Sequence, residues 1–350
     1  MPGPKTTIDL FELDLDTGKR LGEQKTIWIG ETHFFPEGPH IYKKDGWYYC
    51  MIAEDGTHDF HAIKIARSKN LFGPYEASEK NPILTAVGTT DYFTHLGHGD
   101  LFQDTKGQWW CVCLGVRKSE SRFALSRETF LTQVEWPEGE WPSIERVAAD
   151  PSRLANIPKV ALPTGKEEDE MLFIREPTAP GYKLDGQRIS LTPSKQNLKY
   201  AVGQEPISFA AKRQRSLEGT ASVTLNLSTG AESVDTKAGL AYFKDEHRFI
   251  RIFYDFDSSK ICFDATNVPQ AFSESAEHDF QSHGSVDFQV SYTEELLRFA
   301  FRKDSSQSWT ELGSVDTLKM SDFDFVGPVI GVFAFGGSQE AVVFENLKVE

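Results

Sequence analysis

Short aromatic strands, broken every few residues by Gly, Pro or Asp turns, run along this 350-residue chain, and no long stretch shows a helical period. Residues 8–15 alternate apolar and polar side chains and then turn at Thr17-Gly18. Residues 47–53 and 109–116 read as nearly continuous apolar strands, and 62–66 alternate again. This pattern predicts an all-β protein with few helices. The length suits two domains. Residues 5–150 consist of repeated strand–turn–strand units, as in the radially stacked four-stranded sheets of a propeller. Residues 151–181 change character. Asp150-Pro151-Ser152 leads into a polar stretch holding Glu167-Glu168-Asp169-Glu170, which reads as an interdomain linker. Residues 182–350 return to strands, with candidates at 222–227, 239–243, 249–256, 286–292, 297–302, 329–335 and 341–349, a β-sandwich pattern.

A net charge of −15 argues against nucleic acid, whose phosphates need stripes of Lys and Arg, and suits a soluble protein with a neutral or polar ligand. Cys50, Cys111 and Cys113 lie within apparent strands, and none of the four cysteines has zinc-site spacing. Cys111 and Cys113 point the same way along one strand, where a disulfide would be badly strained, so the thiols read as small buried hydrophobes. The first residues hold no apolar signal-peptide core and no run approaches a membrane span, so the default expectation is a cytoplasmic protein away from membranes.

One segment concentrates constraint around a single acid. In Phe35-Pro36-Glu37-Gly38-Pro39-His40, two prolines fix φ and a glycine permits close backbone approach on either side of Glu37. A strand, a Lys44-Asp45-Gly46 turn and the aromatic strand from Trp47 follow. Alone, such a tripeptide is an ordinary surface turn more often than a site. Further on come Gly97-His98-Gly99-Asp100, Gly107-Gln108-Trp109-Trp110, Leu114-Gly115-Val116-Arg117 and Arg127-Glu128-Thr129-Phe130-Leu131. Taken in this order and spacing, together with Ile65-Ala66-Arg67-Ser68 and Asn81-Pro82-Ile83, they resemble the family 43 glycoside hydrolases. The likeness is to the β-xylosidase/α-L-arabinofuranosidase branch with a C-terminal concanavalin-like β-sandwich, and it runs from about Thr7 to Glu350.

The resemblance implies a five-bladed propeller and an inverting O-glycosyl hydrolase acting on pentose oligosaccharides from xylan or arabinoxylan. An inverting glycosidase uses two carboxyl groups, one protonating the leaving oxygen and one activating water on the opposite face of the sugar. By resemblance Glu37 is the general acid, His98 points into the central channel near the sugar, and Arg117 donates to sugar hydroxyls. The acid role calls for an apolar or like-charged surrounding that keeps the carboxyl protonated. Arg127 and Glu128 read as frame, and Trp47, Trp109 and Trp110 as core rather than sugar platforms. About 150 residues hold fewer than five blades, so the resemblance implies an N-terminally truncated propeller in which the base and the pKa-modulating aspartate are not in this chain. Asp150-Pro151-Ser152 imitates the family's wording but sits at the propeller exit. On this reading the chain alone is weak or inactive, and the alternative is an inactive fragment or carbohydrate-binding remnant. No cofactor is required, and nothing in the sequence supports calcium. Unpaired blade edges predict an oligomer.

Overall fold

The computed structural model of the chain describes residues 6–148, 171–175, 177, 181–199, 206–229, 235–282, 284–322 and 325–350. Among these residues the single helical element is the 3₁₀ turn Thr317–Met320; everything else regular is strand. None of them forms a helix long and apolar enough to cross a membrane. The chain divides into two compact units, residues 1–119 with 127–158, and residues 120–126 with 159–350.

The first unit holds a hairpin and two four-stranded meanders. The hairpin pairs β1 (Ile8–Leu13) with β2 (Arg20–Trp28). The first blade runs β3 (Glu37–Lys44), β4 (Trp47–Glu54), β5 (Ala62–Ser68) and β6 (Glu76–Ala77), with β7 (Leu84–Thr85) also pairing β5. The second runs β8 (Phe93–Gln103), β9 (Trp109–Arg117), β10 (Arg127–Glu135) and β11 (Ser143–Ile144). Both are propeller-type blades with antiparallel neighbours.

The continuous apolar reading of β4 has a structural cause, since this strand is buried on both faces. Cys50 and Ile52, with Ala66 of β5, pack against Ile8, Ile27 and Trp28 of the hairpin. Tyr49 and Met51, with Ile63 and Ile65, pack against Leu96, Leu101, Cys111, Cys113 and Val134 of the second blade. All four cysteines are free and buried.

The second unit is a sandwich of two seven-stranded antiparallel sheets. Among the described residues one sheet runs β12 (Leu172–Phe173), β15 (Phe209–Arg213), β24 (Val329–Phe335), β17 (Lys237–Asp245), β18 (Arg248–Asp255), β19 (Lys260–Asn267) and β20 (Phe272–Asp279). The other runs β13 (Tyr182–Asp185), β14 (Arg188–Leu191), β25 (Val342–Val349), β16 (Gly219–Asn226), β21 (Ser285–Tyr292), β22 (Leu296–Arg302) and β23 (Thr310–Asp316). Central strands include β16 (Gly219–Asn226), β17 (Lys237–Asp245), β18 (Arg248–Asp255), β21 (Ser285–Tyr292) and β24 (Val329–Phe335). Leu240, Ile250, Ile252 and Phe263 meet Val223, Phe288, Val290 and Phe344 between the sheets. Phe249 and Phe253 point to the other face of β18, beside Phe209 and Phe333. Arg251 lies on that face with its charge matched by Asp264, through two contacts of 2.7 Å.

Two details differ from the sequence reading. β12 (Leu172–Phe173) pairs with β15 (Phe209–Arg213), so the sandwich takes up residues within the 151–181 stretch read as linker. Residues 120–126 belong to the sandwich unit, where Arg122 bonds Asp316 and Thr317. Asp150-Pro151-Ser152 and the 167–170 acidic run lie outside the described residues.

Phe288 is fully buried between the sheets. Truncation to Ala should cost about 3–5 kcal/mol of unfolding free energy, measured by denaturant titration, while Val268→Ala at an exposed turn should stay within about 0.5 kcal/mol.

Candidate functional site

Glu37 opens β3, the edge strand of the first blade. It pairs with Ala53, and the ladder then slips before resuming at His40 with Met51. Gly38 and Pro39 occupy that bulge. Gly38 has φ +55, and Pro39, which has no N–H to give, falls where the ladder is broken. The Pro-Glu-Gly-Pro pattern thus encodes a bulge that turns one acid off the end of an edge strand. The carboxyl meets His98 of β8, the edge strand of the second blade, with His98 Nδ1 3.0 Å from Glu37 Oε1. A Cβ on Gly38 would lie 2.7–3.0 Å from the His98 ring, so the glycine also makes room for the imidazole. The Glu37 and His98 side chains are 43% and 44% exposed. The acid therefore has an imidazole partner and an open face, rather than the apolar or like-charged surrounding expected for it.

Next along the same two edges, Tyr42 donates to Asp100 Oδ1 (2.6 Å) and accepts from the Leu101 N–H (2.9 Å). His40 Nδ1 lies 3.3 Å from the same carboxylate. Burial, followed by the bond to Asp100, pushes the Tyr42 phenol well above its ordinary range. His40 belongs to this second rung.

Arg117 does not join the pair. Its Nε lies 2.9 Å from Glu128 Oε1, and its guanidinium sits 5.8 Å from the centre of the Phe93 ring. Burial raises the Glu128 carboxyl even though Arg117 beside it acts in the opposite direction. Trp110 is buried and donates to Asp104 Oδ2 (3.1 Å), Trp109 packs on Trp136, and Trp47 faces Arg67 and Lys69.

Two groups escaped the sequence reading. The first is Glu54, fully buried at the end of β4 on the hairpin-facing side. The N–H groups of Glu31, Thr32 and His33 donate to its Oε1 at 3.0–3.1 Å, and Lys64 Nζ lies 2.8 Å from Oε2. Gly30 is needed beneath it, because a Cβ there would fall 1.9 Å from Oε1. Glu54 thereby ties down the loop leading into Glu37. The second group is histidine. His61 is 1% exposed, with Nδ1 2.8 Å from the His95 carbonyl oxygen, and His95 Nε2 lies 3.1 Å from Asp59 Oδ1. The spacing that could have revealed this group is a pair of histidines three apart, His58 and His61, matched by His95 and His98. Among the described residues no cluster of three or more His, Cys, Asp or Glu side chains could hold a metal ion.

Burial is the largest influence on His61 and lowers its pKa from 6.5. The His95 carbonyl and Glu37 oppose the shift, while His98 and His95 add to it. Because the folded state disfavours the protonated ring, the unfolded chain takes up the extra proton. Protonation of His61 therefore destabilises the fold, a cost absent above pH 6.5 that grows as pH falls. Denaturant midpoints should drop from pH 6.5 toward about pH 5, and His61→Asn should remove part of that slope.

Comparison with known proteins agrees with this architecture. Residues 2–142 match the profile of glycosyl hydrolases family 43, and residues 169–350 that of the β-xylosidase C-terminal concanavalin A-like domain. The chain is 28% identical over 355 residues to the non-reducing end α-L-arabinofuranosidase BoGH43B of Bacteroides ovatus, covering 97% of this chain and 66% of that protein. It is 44% identical over 137 residues to a xylosidase/arabinosidase of Butyrivibrio fibrisolvens, covering 38% of this chain and 26% of that one. The chain thus spans less than two thirds of the length of these relatives. The solved Bacteroides ovatus xyloglucan-locus GH43B structure superposes with a TM-score of 0.85 at 26% identity, covering 100% of this chain and 73% of that chain. Two blades with a bulged Glu at one edge, followed by a two-sheet sandwich, are thus parts of a known pair of domains, and the chain belongs to glycosyl hydrolase family 43, in the group that carries the β-xylosidase C-terminal domain.

Proposed function

We propose that this chain acts as a glycoside hydrolase of the β-xylosidase/α-L-arabinofuranosidase type on pentose oligosaccharides, with Glu37 as general acid. The observation that carries this reading is the Glu37–His98 pair, a half-exposed carboxyl fixed by a bulge with one oxygen held by an imidazole. With Oε1 engaged, Oε2 is the oxygen left to hand a proton to a glycosidic oxygen. His98 holds the carboxyl in one orientation, so the proton donor is positioned before the substrate arrives. Arg117 keeps Nε against Glu128 and has its two Nη groups for sugar hydroxyls, with the ion pair setting the plane of the guanidinium. The names of the Bacteroides and Butyrivibrio relatives support the pentose specificity.

The inverting course is part of the same proposal. It needs a second carboxylate about 6.5–9.5 Å from the first, with a water between. The group that holds Glu37 is a histidine, so the base is a further carboxylate beyond this pair.

The test is turnover of xylobiose and of nitrophenyl β-D-xyloside and nitrophenyl α-L-arabinofuranoside. Glu37→Gln should lower kcat on xylobiose by about 10²–10⁴-fold. The loss on nitrophenyl glycosides should be smaller, because nitrophenolate departs without a proton. Proton NMR of the first-formed sugar should show the anomer opposite to the substrate's. A folded chain that turns over none of these substrates would sink the proposal.

A further inference from the structure

Strand β8 is contorted where it carries His98. His95 and His98 both have left-handed backbone, with φ +55 and +45. The ladder with β9 slips between Thr94 and Gly97 and again between Gly97 and Asp100. Non-glycine residues adopt such conformations only where the surroundings hold them there. The group packed into the distortion is His61, from the segment leading into β5. A Cβ on Gly97 would lie 2.3–2.4 Å from three atoms of the His61 ring, so the imidazole occupies the place where a side chain at position 97 would stand. Its Nδ1 lies 2.8 Å from the His95 carbonyl. A carbonyl only accepts, so Nδ1 carries the proton and Nε2 is left as a lone pair. Nε2 is buried and finds no hydrogen-bond partner among the described residues. An unpaired buried acceptor disfavours the fold, and a hydrocarbon ring of similar shape would avoid that cost. What the imidazole offers at this position, and a phenyl ring does not, is the Nδ1–H bond to His95.

We infer that His61 is a positioning residue for the acid. Its Nδ1–H bond to His95 and its packing on Gly97 fix the two left-handed residues of β8, and so hold His98 where its Nδ1 meets Glu37. The chain of contacts runs His61 to His95 and Gly97, then to His98, then to Glu37. Asp59 steadies the far side of His95. The inference concerns the geometry of the His98–Glu37 pair, and rests on the proposed glycosidase reading only for what that pair does.

The experiment uses imidazole ¹⁵N NMR on the full chain at pH 7, which requires no activity. In the unsubstituted chain His61 should show the Nδ1–H tautomer, and the His98 nitrogens should shift when Glu37 is changed to Gln. Asn places an amide N–H near the position of Nδ1, whereas Gln places its amide near Nε2. His61→Asn should therefore leave the His98 resonances where they are. His61→Gln should move them to the positions they take in Glu37→Gln. A structural role for His61 alone would affect both variants alike, in proportion to their loss of stability. The inference is overturned if His61 carries its proton on Nε2, a measurement that needs no variant, or if the His98 resonances are unmoved in His61→Gln. A chain with the expected NMR pattern and no glycosidase turnover would remove the proposed function and leave this inference standing.

Discussion

Double-sided burial of β4 and β5 is the constraint on which the propeller unit rests. The hairpin has the Cys50, Ile52 and Ala66 face to pack against, and the second blade has the Tyr49, Met51, Ile63 and Ile65 face. Shifting a strand by one residue exchanges its faces, and where one face is polar that exchange is penalised at once. Here both faces are apolar, so hydrophobicity alone specifies the register weakly. The polar groups at the ends supply what is missing. Glu54 shares the hairpin-facing side of β4 with Cys50 and Ile52, and a slip would carry its carboxylate between the blades, away from Lys64 and the three N–H groups of the 31–33 loop. Tyr49 makes the corresponding demand on the other side, where its hydroxyl donates to the Glu140 carbonyl.

The edge strands obey a different logic. β3 and β8 are irregular where they face each other, with a bulge after Glu37 and two slips around Gly97. Their side chains meet in rungs, Glu37 with His98 and then His40 and Tyr42 with Asp100. Irregular backbone of this kind is sustained by a rigid surround, which the slab of β4, β5 and β9 supplies. Gly38 and Gly97 play equivalent parts in it, each leaving space for an imidazole ring from another segment of the chain.

This division explains what the sequence could disclose. Strand periodicity and turn residues report local preference, and β24 (Val329–Phe335) falls where the pattern placed it. Pro36, Gly38 and Pro39 marked an irregular start to β3 because each acts on its own backbone. The partner of Glu37 lies 61 residues away and is set by the stacking of one blade on the next, which no local pattern encodes. For the same reason the contact of Arg117 with Glu128 across the β9–β10 ladder, and that of His61 with the His95 carbonyl, are not encoded in any local pattern. The linker reading of 151–181 overran the sandwich because β12 is two residues long, too short for periodicity to register.

The buried polar groups of both units share one further property. Arg251 with Asp264 in the sandwich and Lys64 with Glu54 in the propeller each place an ion pair against an apolar face. Such pairs lose solvation on burial, and their net contribution to stability is small beside the cost of breaking them singly. Their effect is on choice among alternatives, since an apolar pair would pack in several registers and a matched charge pair is satisfied in one. At Glu54 that choice reaches the site. The carboxylate that rejects a slipped β4 also collects the N–H groups of Glu31, Thr32 and His33, and so fixes where the chain enters the bulge that presents Glu37.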